Sequence, residues 1–444
     1  MKNREEALDL LEKALSAATA AGCDAADAVL FSGSSALTRF ANDIIHQNVA
    51  REGETLSLRA VRGKRTGVVH TDVLTDAGIA SAAKRAAEIA ASAAEDPEFP
   101  GIMASPTAEP CGIFDEETAG ASPETRARAV CEIIGRIEAG GAIASGSLST
   151  AARSIAVANT AGTCQFDRKT SVGLNIVAMA DTAAGCARLS AARLSEMDAV
   201  ERAEFALRKC LGSRDAGEIE PGEYTVVLEP AAVAAMIQFL ARLGFGALAM
   251  QQGQSCLQGK IGEKVFDERI SIVDDARDPV GSPFAFDGEG VPTRRVELIT
   301  DGVMRGVLYD TKTAAKDGAA STGHGGVPPN PSGPHSSSLL VSPGNATLDE
   351  MIASTGRGLL VSNFHYTNVA ERSTATITGM TRYGLFEIVD GEVARPVKNL
   401  RFTQSILAAL DDVEAVGATR ERFGSAVVPA LKIGRFRFTG KSDH

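Results

Sequence analysis

Histidines and cysteines are the side chains of this chain best suited to hold a metal or attack a carbonyl, and their spacing is unhelpful to both. None of His46, His70, His324, His335, His365 and His444 stands from another His or a Cys at the interval that a metal-binding helix or knuckle requires. Cys23, Cys111, Cys131, Cys164, Cys186, Cys210 and Cys256 are scattered, odd in number and never paired as CxxC, which is the pattern of reduced thiols. Cys256, in QQGQSCLQGK, reads as the most exposed, but no His or Lys adjoins it to activate a thiolate. No GxSxG stretch exists for a nucleophile elbow. FTGKSDH departs from a phosphate loop because Gly434 is one residue too far from Gly440-Lys441-Ser442 and no helix follows.

Three histidines have a structural and a functional reading. His365, in VSNFHYTNVAE, lies on a strand pattern followed by Tyr366, Thr367 and Asn368; it reads as a hydrogen-bonded strand residue or as a ligand or base. His324, in STGHGG, sits on a glycine-rich segment that reads as a mobile surface loop able to close over a peptide. His46, in NDIIHQNVAREGE, is expected half-exposed on an extended segment able to pair with another main chain.

One stretch is conspicuous for what it lacks. EPAAVAAMIQFLAR, Glu229 to Arg242, follows the strand-like EYTVVL, the setting in which His and Glu at one-turn spacing hold a metal on one helix face. Here the helix has Pro at its first position and offers only apolar side chains and a lone Gln, so burial on all sides is expected.

The elements around these residues follow from periodicity. Helices are expected over Arg4 to Ala21, Asp76 to Ala94, Glu124 to Ala139 and Ala199 to Leu211. Between the first two, ALTRFANDIIHQNVAREGETLSLRAVRGKRTGVVHTD reads as an antiparallel meander with Gly53 and Gly63 at turns. A second extended set, from LSTAARSIAVAN to CARLSAARLS, turns at Thr160-Ala161-Gly162. Asp96 to Pro123, rich in Pro, Gly, Glu and Ser, reads as a linker or long surface loop. The second half is mostly β, with Asp301-Gly302 and Asp390-Gly391 as hairpin turns and few helices, among them Thr347 to Thr355 and Gln404 to Ala415. The expectation is an α+β protein of two domains. Residues 1–216 form an α/β domain with antiparallel strands, and residues 217–444 form a mainly-β curved, barrel-like sheet around a buried helix.

At 444 residues and 44% apolar composition, two or three folded domains are expected. No apolar run is long enough to span a bilayer, and the acidic, helically periodic N-terminus reads as a cytoplasmic helix rather than a signal peptide. A net charge of −11 without a Lys/Arg stripe argues against nucleic acid as the main partner.

Several segments together resemble the TldD/PmbA (TldE) family of peptidase-related proteins: RFANDIIHQNVAREGETLSLRAVRGKRTGVV, SPFAFDGEGVPTRRVELITDGVMRGVLYDTKTA, STGHGG, and GLLVSNFHYTNVAERSTATITGMTRYGLFEIVDGEVARPVKNLRFTQSIL. The resemblance implies an N-terminal α/β domain and a mainly-β C-terminal domain, assembled as a dimer around an enclosed channel. It also implies that active members carry a HExxxH zinc helix after the strand that here reads EYTVVLEP, with a zinc-ligating cysteine near the C-terminus. This chain has neither: its helix holds no His and no Glu after Glu229, and its last cysteine is Cys256.

The resemblance is therefore to the PmbA/TldE branch, whose members lack those ligands and serve as partner subunits. On that reading the chain holds no cofactor, zinc belongs to a TldD-like partner, and unfolded peptide is the substrate of the pair. No catalytic or metal residue is expected; Arg39, Asn42, His46, Gln47, His324, Asn363, His365, Tyr366 and Asn368 are the candidate peptide contacts. A stand-alone metallopeptidase with ligands converging only in the fold, and a homodimeric peptide-binding scaffold, are the alternatives.

Overall fold

The computed structural model describes residues 1–442, so His444 lies outside the described residues. The chain builds two β-sheets, and the first consists of one unit repeated. α1 (Arg4–Ala20) leads into β1 (Ala25–Ala41), β2 (Ile44–Arg62), β3 (Arg65–Thr71) and α2 (Asp76–Ser92). After the linker and the short α3 (Glu116–Ala119), α4 (Pro123–Ala139) leads into β4 (Ile143–Asn159), β5 (Cys164–Ala180), β6 (Ala183–Ala191) and α5 (Ala199–Gly212). α1 and α4 each have 17 residues and begin at side-chain caps, Asn3 and Ser122, that satisfy otherwise free N–H groups. The strand order β3-β2-β1-β4-β5-β6 places the two units about a pseudo-twofold between β1 and β4.

Both faces of this sheet are used, which follows from the period of two along β1. Ala26, Ala28 and Leu30 pack with Leu11 and Ala14 of α1, whereas Val29 faces the other way and packs with Phe286 from the second half. The repeat extends to single glycines. A Cβ on Gly67 of β3 would lie 2.2 Å from the Ala86 carbonyl oxygen of α2, and one on Gly185 of β6 would lie 2.1 Å from that of Ala206 of α5. Each is the point where helix backbone rests directly on strand backbone.

The first meander differs from expectation at one turn. β2 runs straight through Gly53, which pairs with Gly33, and the chain reverses instead at Asn42 and Asp43. Both have left-handed φ (50° and 62°), which Asn and Asp tolerate and which a two-residue hairpin loop requires. The linker is anchored rather than loose. Gln165 of β5 accepts from Ala108 N and donates to Pro106 O, and the buried Asp167 accepts from Cys111 N and Gly112 N.

The second sheet begins with β7 (Glu223–Leu228), which feeds α6 (Pro230–Gly244) and α7 (Ala247–Gln251). β8 (Ile272–Asp274), β9 (Val296–Thr300), β10 (Val303–Met304), α8 (Thr311–Asp317), β11 (Leu339–Val341), α9 (Leu348–Ala353) and β12 (Arg357–Val361) follow. The chain closes with β13 (Phe364–Glu371), β14 (Thr376–Thr381), β15 (Leu385–Val389), β16 (Glu392–Pro396), β17 (Leu400–Ser405), α10 (Ile406–Asp411), β18 (Val413–Phe423) and β19 (Ala426–Lys441). β19 is the spine, pairing in turn with β11, β18, β7 and β17.

The sheet is mixed and branched and does not close into a barrel. Asp301-Gly302 and Asp390-Gly391 do form the hairpin turns, all four residues having positive φ. The helix expected over Gln404 to Ala415 is shorter, because Gln404 and Ser405 pair with Ile377 and Thr376 of β14; Ser405 then caps α10.

Candidate functional site

α6 decides what the centre of the molecule can do, since it packs against β19, β18 and β13 while facing the N-terminal sheet. Its burial is incomplete, contrary to expectation. Val233, Met236, Ile237 and Leu240 are enclosed in the core, but Ala231, Ala235 and Gln238 border a cleft of about 580 Å³. The opposite wall of that cleft is Ser147, Ser149, Leu174 and Asn175 from β4 and β5. The open helix face thus presents methyl groups and one amide, and Gln238 Nε2 is itself spent on Phe423 O at 3.0 Å.

These residues do not fit a zinc ion. Methyl groups have no lone pairs, and a tetrahedral site needs three or four N, S or O donors converging within about 2.3 Å of the metal. Among the described residues, no group of three or more His, Cys, Asp or Glu is placed to hold a metal ion. Cys256 is buried, with its thiol raised to about 11 by burial, so it is not an accessible nucleophile.

At the start of α6 lies a smaller pocket of about 150 Å³. Glu229, the residue before the helix, makes no side-chain cap and instead pairs with Lys209 of α5 at 2.6 Å. Lys209 in turn lies over the faces of Phe205 and Phe386. Ser362 and Asn363 form the break between β12 and β13, held to the 382–384 turn by Ser362 N donating to Gly384 O and Arg382 N to Asn363 O. Their backbones are paired; Ser362 Oγ and Asn363 Nδ2 are buried without a hydrogen-bond partner among the described residues.

The residues singled out from the sequence fall into separate places. Arg39, Asn42, His46 and Gln47 are exposed at the tip of the β1–β2 hairpin, with Arg39 directly opposite Gln47. β3 pairs only with Leu56–Arg62 of β2, so the outer edge of the remaining stretch, 44–55, meets no other strand among the described residues. In the second repeat the matching edge of β5, short of Val172, is met by the linker, Thr170 N donating to Ile113 O.

His365, Tyr366 and Asn368 lie on β13, which among the described residues pairs on one side only. Tyr366 is 74% exposed at a bulge with a left-handed φ of 47°, and Tyr383 on the adjoining turn has φ 64°. Both rings contact the His365 imidazole edge-on. Strained backbone at exposed aromatic residues is commoner at functional sites than elsewhere. Desolvation, then Arg382 and Arg188, lowers the His365 pKa and favours its neutral form. His335 is exposed, and Asn363 belongs to the pocket wall.

His324 is not on a mobile surface loop. It is 2% exposed, its Nδ1 lies 2.9 Å from Thr322 Oγ1, and its Nε2 lies 3.1 Å from the buried Asp274 carboxylate without hydrogen-bond alignment. The surrounding glycines allow this close packing: a Cβ on Gly323 would meet the Pro292 carbonyl oxygen at 2.4 Å. Glycine richness here reflects density, and the sequence carried no signal that separated the two meanings. A cluster that sequence reasoning missed lies nearby. Asp287 accepts from Gly325 N, Glu289 N and Val291 N, while burial and then Glu289 push its carboxyl up to about 8.

An antiparallel repeated α/β layer set against a branched mixed sheet, with a helix flooring the cleft between them, defines a two-part α+β architecture. The chain belongs to the PmbA/TldD family: the family model of the PmbA/TldA metallopeptidase C-terminal domain matches residues 221–440, and that of domain 1 matches residues 26–90. A protein named metalloprotease from Methanothermobacter thermautotrophicus is 31% identical over 205 residues, 44% of this chain and 43% of that protein. A metalloprotease TldD homolog from Haemophilus influenzae is 26% identical over 51% of this chain and 47% of its own length. The matches thus span about half the length of these curated relatives. The fold is similar to that of TldE from Thermococcus kodakarensis, with a TM-score of 0.88 over 97% of this chain and 100% of that one at 20% identity. Among the described residues no helix is long and apolar enough to cross a membrane.

Proposed function

We propose that this chain is a non-catalytic, cytoplasmic subunit of the PmbA/TldE type, which pairs with a zinc-bearing TldD-like chain and helps enclose unfolded peptide. The observation that carries this reading is the open face of α6, which presents Ala231, Ala235 and Gln238 to the cleft on the helix where the family resemblance implies that zinc-bearing members carry HExxxH. Without neutral imidazoles to bind zinc or a carboxylate to polarise water, metal-assisted amide hydrolysis lacks its parts in this chain.

Its contribution is geometric. The uncovered edge of β2 beside Arg39, Asn42, His46 and Gln47 suits main-chain pairing with an extended segment, as does β13 beside His365, Tyr366 and Asn368. Asn363 faces the cleft from the pocket wall. His324 packs against Asp274 at the end of β8 and makes no peptide contact in this proposal.

The test is zinc content and native mass of the purified chain, alone and after mixing with a family member that carries HExxxH. The expected result is a metal-free chain without activity that forms a zinc-containing heterodimer cleaving an unfolded peptide. Stoichiometric zinc and peptidase activity in the lone chain would overturn it.

A further inference from the structure

The pocket at the start of α6 has an unbalanced chemistry. Its two carboxylates are paired, Glu229 with Lys209 at 2.6 Å and Glu421 with Arg202 at 3.5 Å, although Arg202 is shared with Glu201 at 3.0 Å. Arg188, at the mouth, meets the Asn175 amide and the Cys186 thiol and forms no ion pair among the described residues, so it is the one cation lining the pocket without a carboxylate partner. Ser362 and Asn363, 7% and 5% exposed, line the wall with a hydroxyl and an amide nitrogen that have no partner.

A buried donor left unmade costs on the order of 1–3 kcal/mol, so two side by side call for an acceptor from outside the chain. The N-terminus of the 15-residue α6, with no side-chain cap, adds a partial positive charge to the same spot. The rest of the wall is apolar, including Phe205 and Leu348. A cavity of about 150 Å³ holds a group the size of a benzene ring.

We propose that this pocket binds one carboxylate-bearing group of amino-acid size, its carboxylate beside Asn363, Ser362 and Arg188 and its apolar part against Phe205 and Leu348. A water molecule could satisfy either orphan donor, but it would leave Arg188 without an anionic partner and the apolar wall unfilled. A phosphate, with up to two negative charges, brings more charge than the one unpaired cation, Arg188, can meet. The inference rests on the pocket alone and is independent of the subunit reading. The carboxylate has two sources, a free small acid or the C-terminus of a peptide.

Ligand-observed NMR titration of the full chain tests this with four probes: N-acetyl-alanine, its amide, and an unstructured decapeptide ending in alanine with a free or an amidated terminus. The acids are expected to bind at least about tenfold more tightly than the amides, the worth of one charge-assisted contact. A decapeptide acid tighter than N-acetyl-alanine identifies a chain end; equal affinities identify a free acid. Arg188→Gln, a change at an exposed residue that leaves the fold intact, is expected to weaken acid binding about tenfold, and Asn363→Asp to abolish it. Amides binding as well as acids, no binding of either acid at about 10 mM, or an Arg188→Gln variant with unchanged affinity would each overturn the proposal.

Discussion

Lys209, on the last turn of α5, and Glu229, on the residue before α6, form an ion pair of 2.6 Å that ties the N-terminal layer to the helix flooring the cleft. Both side chains are largely buried, at 15% and 9% exposure. Removing one partner of such a pair leaves a desolvated charge and costs roughly 3–5 kcal/mol, more than an exposed pair is worth. Lys209→Ala is therefore expected to lower the denaturant midpoint by that order, and adding Glu229→Ala to recover part of the loss. A single variant with wild-type stability would show that the pair does not hold the halves together.

The repeat makes a contrast between glycines. Gly67→Ala would drive a methyl into α2 backbone at 2.2 Å, where nothing flexible can yield, and overpacking of this kind costs about 1–3 kcal/mol or more. Gly53 has no heavy atom within 4 Å of its would-be Cβ, so Gly53→Ala is expected to be neutral or slightly stabilising. Urea unfolding of both variants checks the pair, and equal losses would contradict the stated packing.

Asp287 predicts a pH dependence. Its folded carboxyl titrates at about 8, raised by burial and by Glu289, against 3.8 for an unperturbed aspartate. Between about pH 4 and pH 8 the folded protein retains a proton that the unfolded chain releases. The stability contributed by this group is thus fully present below pH 4 and lost as pH rises through 8. Subtracting the stability profile of Asp287→Asn from that of the wild type isolates the Asp287–Glu289 pair from the other carboxylates; a flat difference across this window would contradict the assignment.

The orientation of α6 is testable by restoring donors. Ala231 and Ala235 lie one turn apart and both border the cleft, so Ala231→His combined with Ala235→His places two imidazoles on one open face. The double variant is expected to bind zinc measurably more tightly than either single variant in a chelator competition. Equal affinities would mean that the two positions do not share an accessible face.

Much of this architecture was legible locally. The 3.6-residue period of α1, α2, α4 and α5 and the Asp-Gly turns at 301–302 and 390–391 depend on near neighbours, and they appear within a few residues of expectation. Gly53 misled because a glycine in a strand is compatible with a turn, while the actual reversal at Asn42 and Asp43 used residues with a weaker turn signature. His324 misled for a related reason: glycines permit both loose loops and close packing, and only the position of Asp274 shows which applies. The repeat is hidden in the sequence because the units share spacing and element order rather than residue identity.

What the chain by itself determined is the set of atoms available: no imidazole or thiol on α6, a proline at its first turn, and alternating strands around it. No fold can add a lone pair to an alanine. What only the tertiary structure decided is where those atoms face. Gln165 reaches the Gly290 carbonyl 125 residues away, Lys209 reaches Glu229, and Ser362 and Asn363 are left without partners because their backbones are fixed by the 382–384 turn. Such contacts arise from docking two sheets against each other, a long-range event for which local periodicity supplies the elements but not their mutual positions.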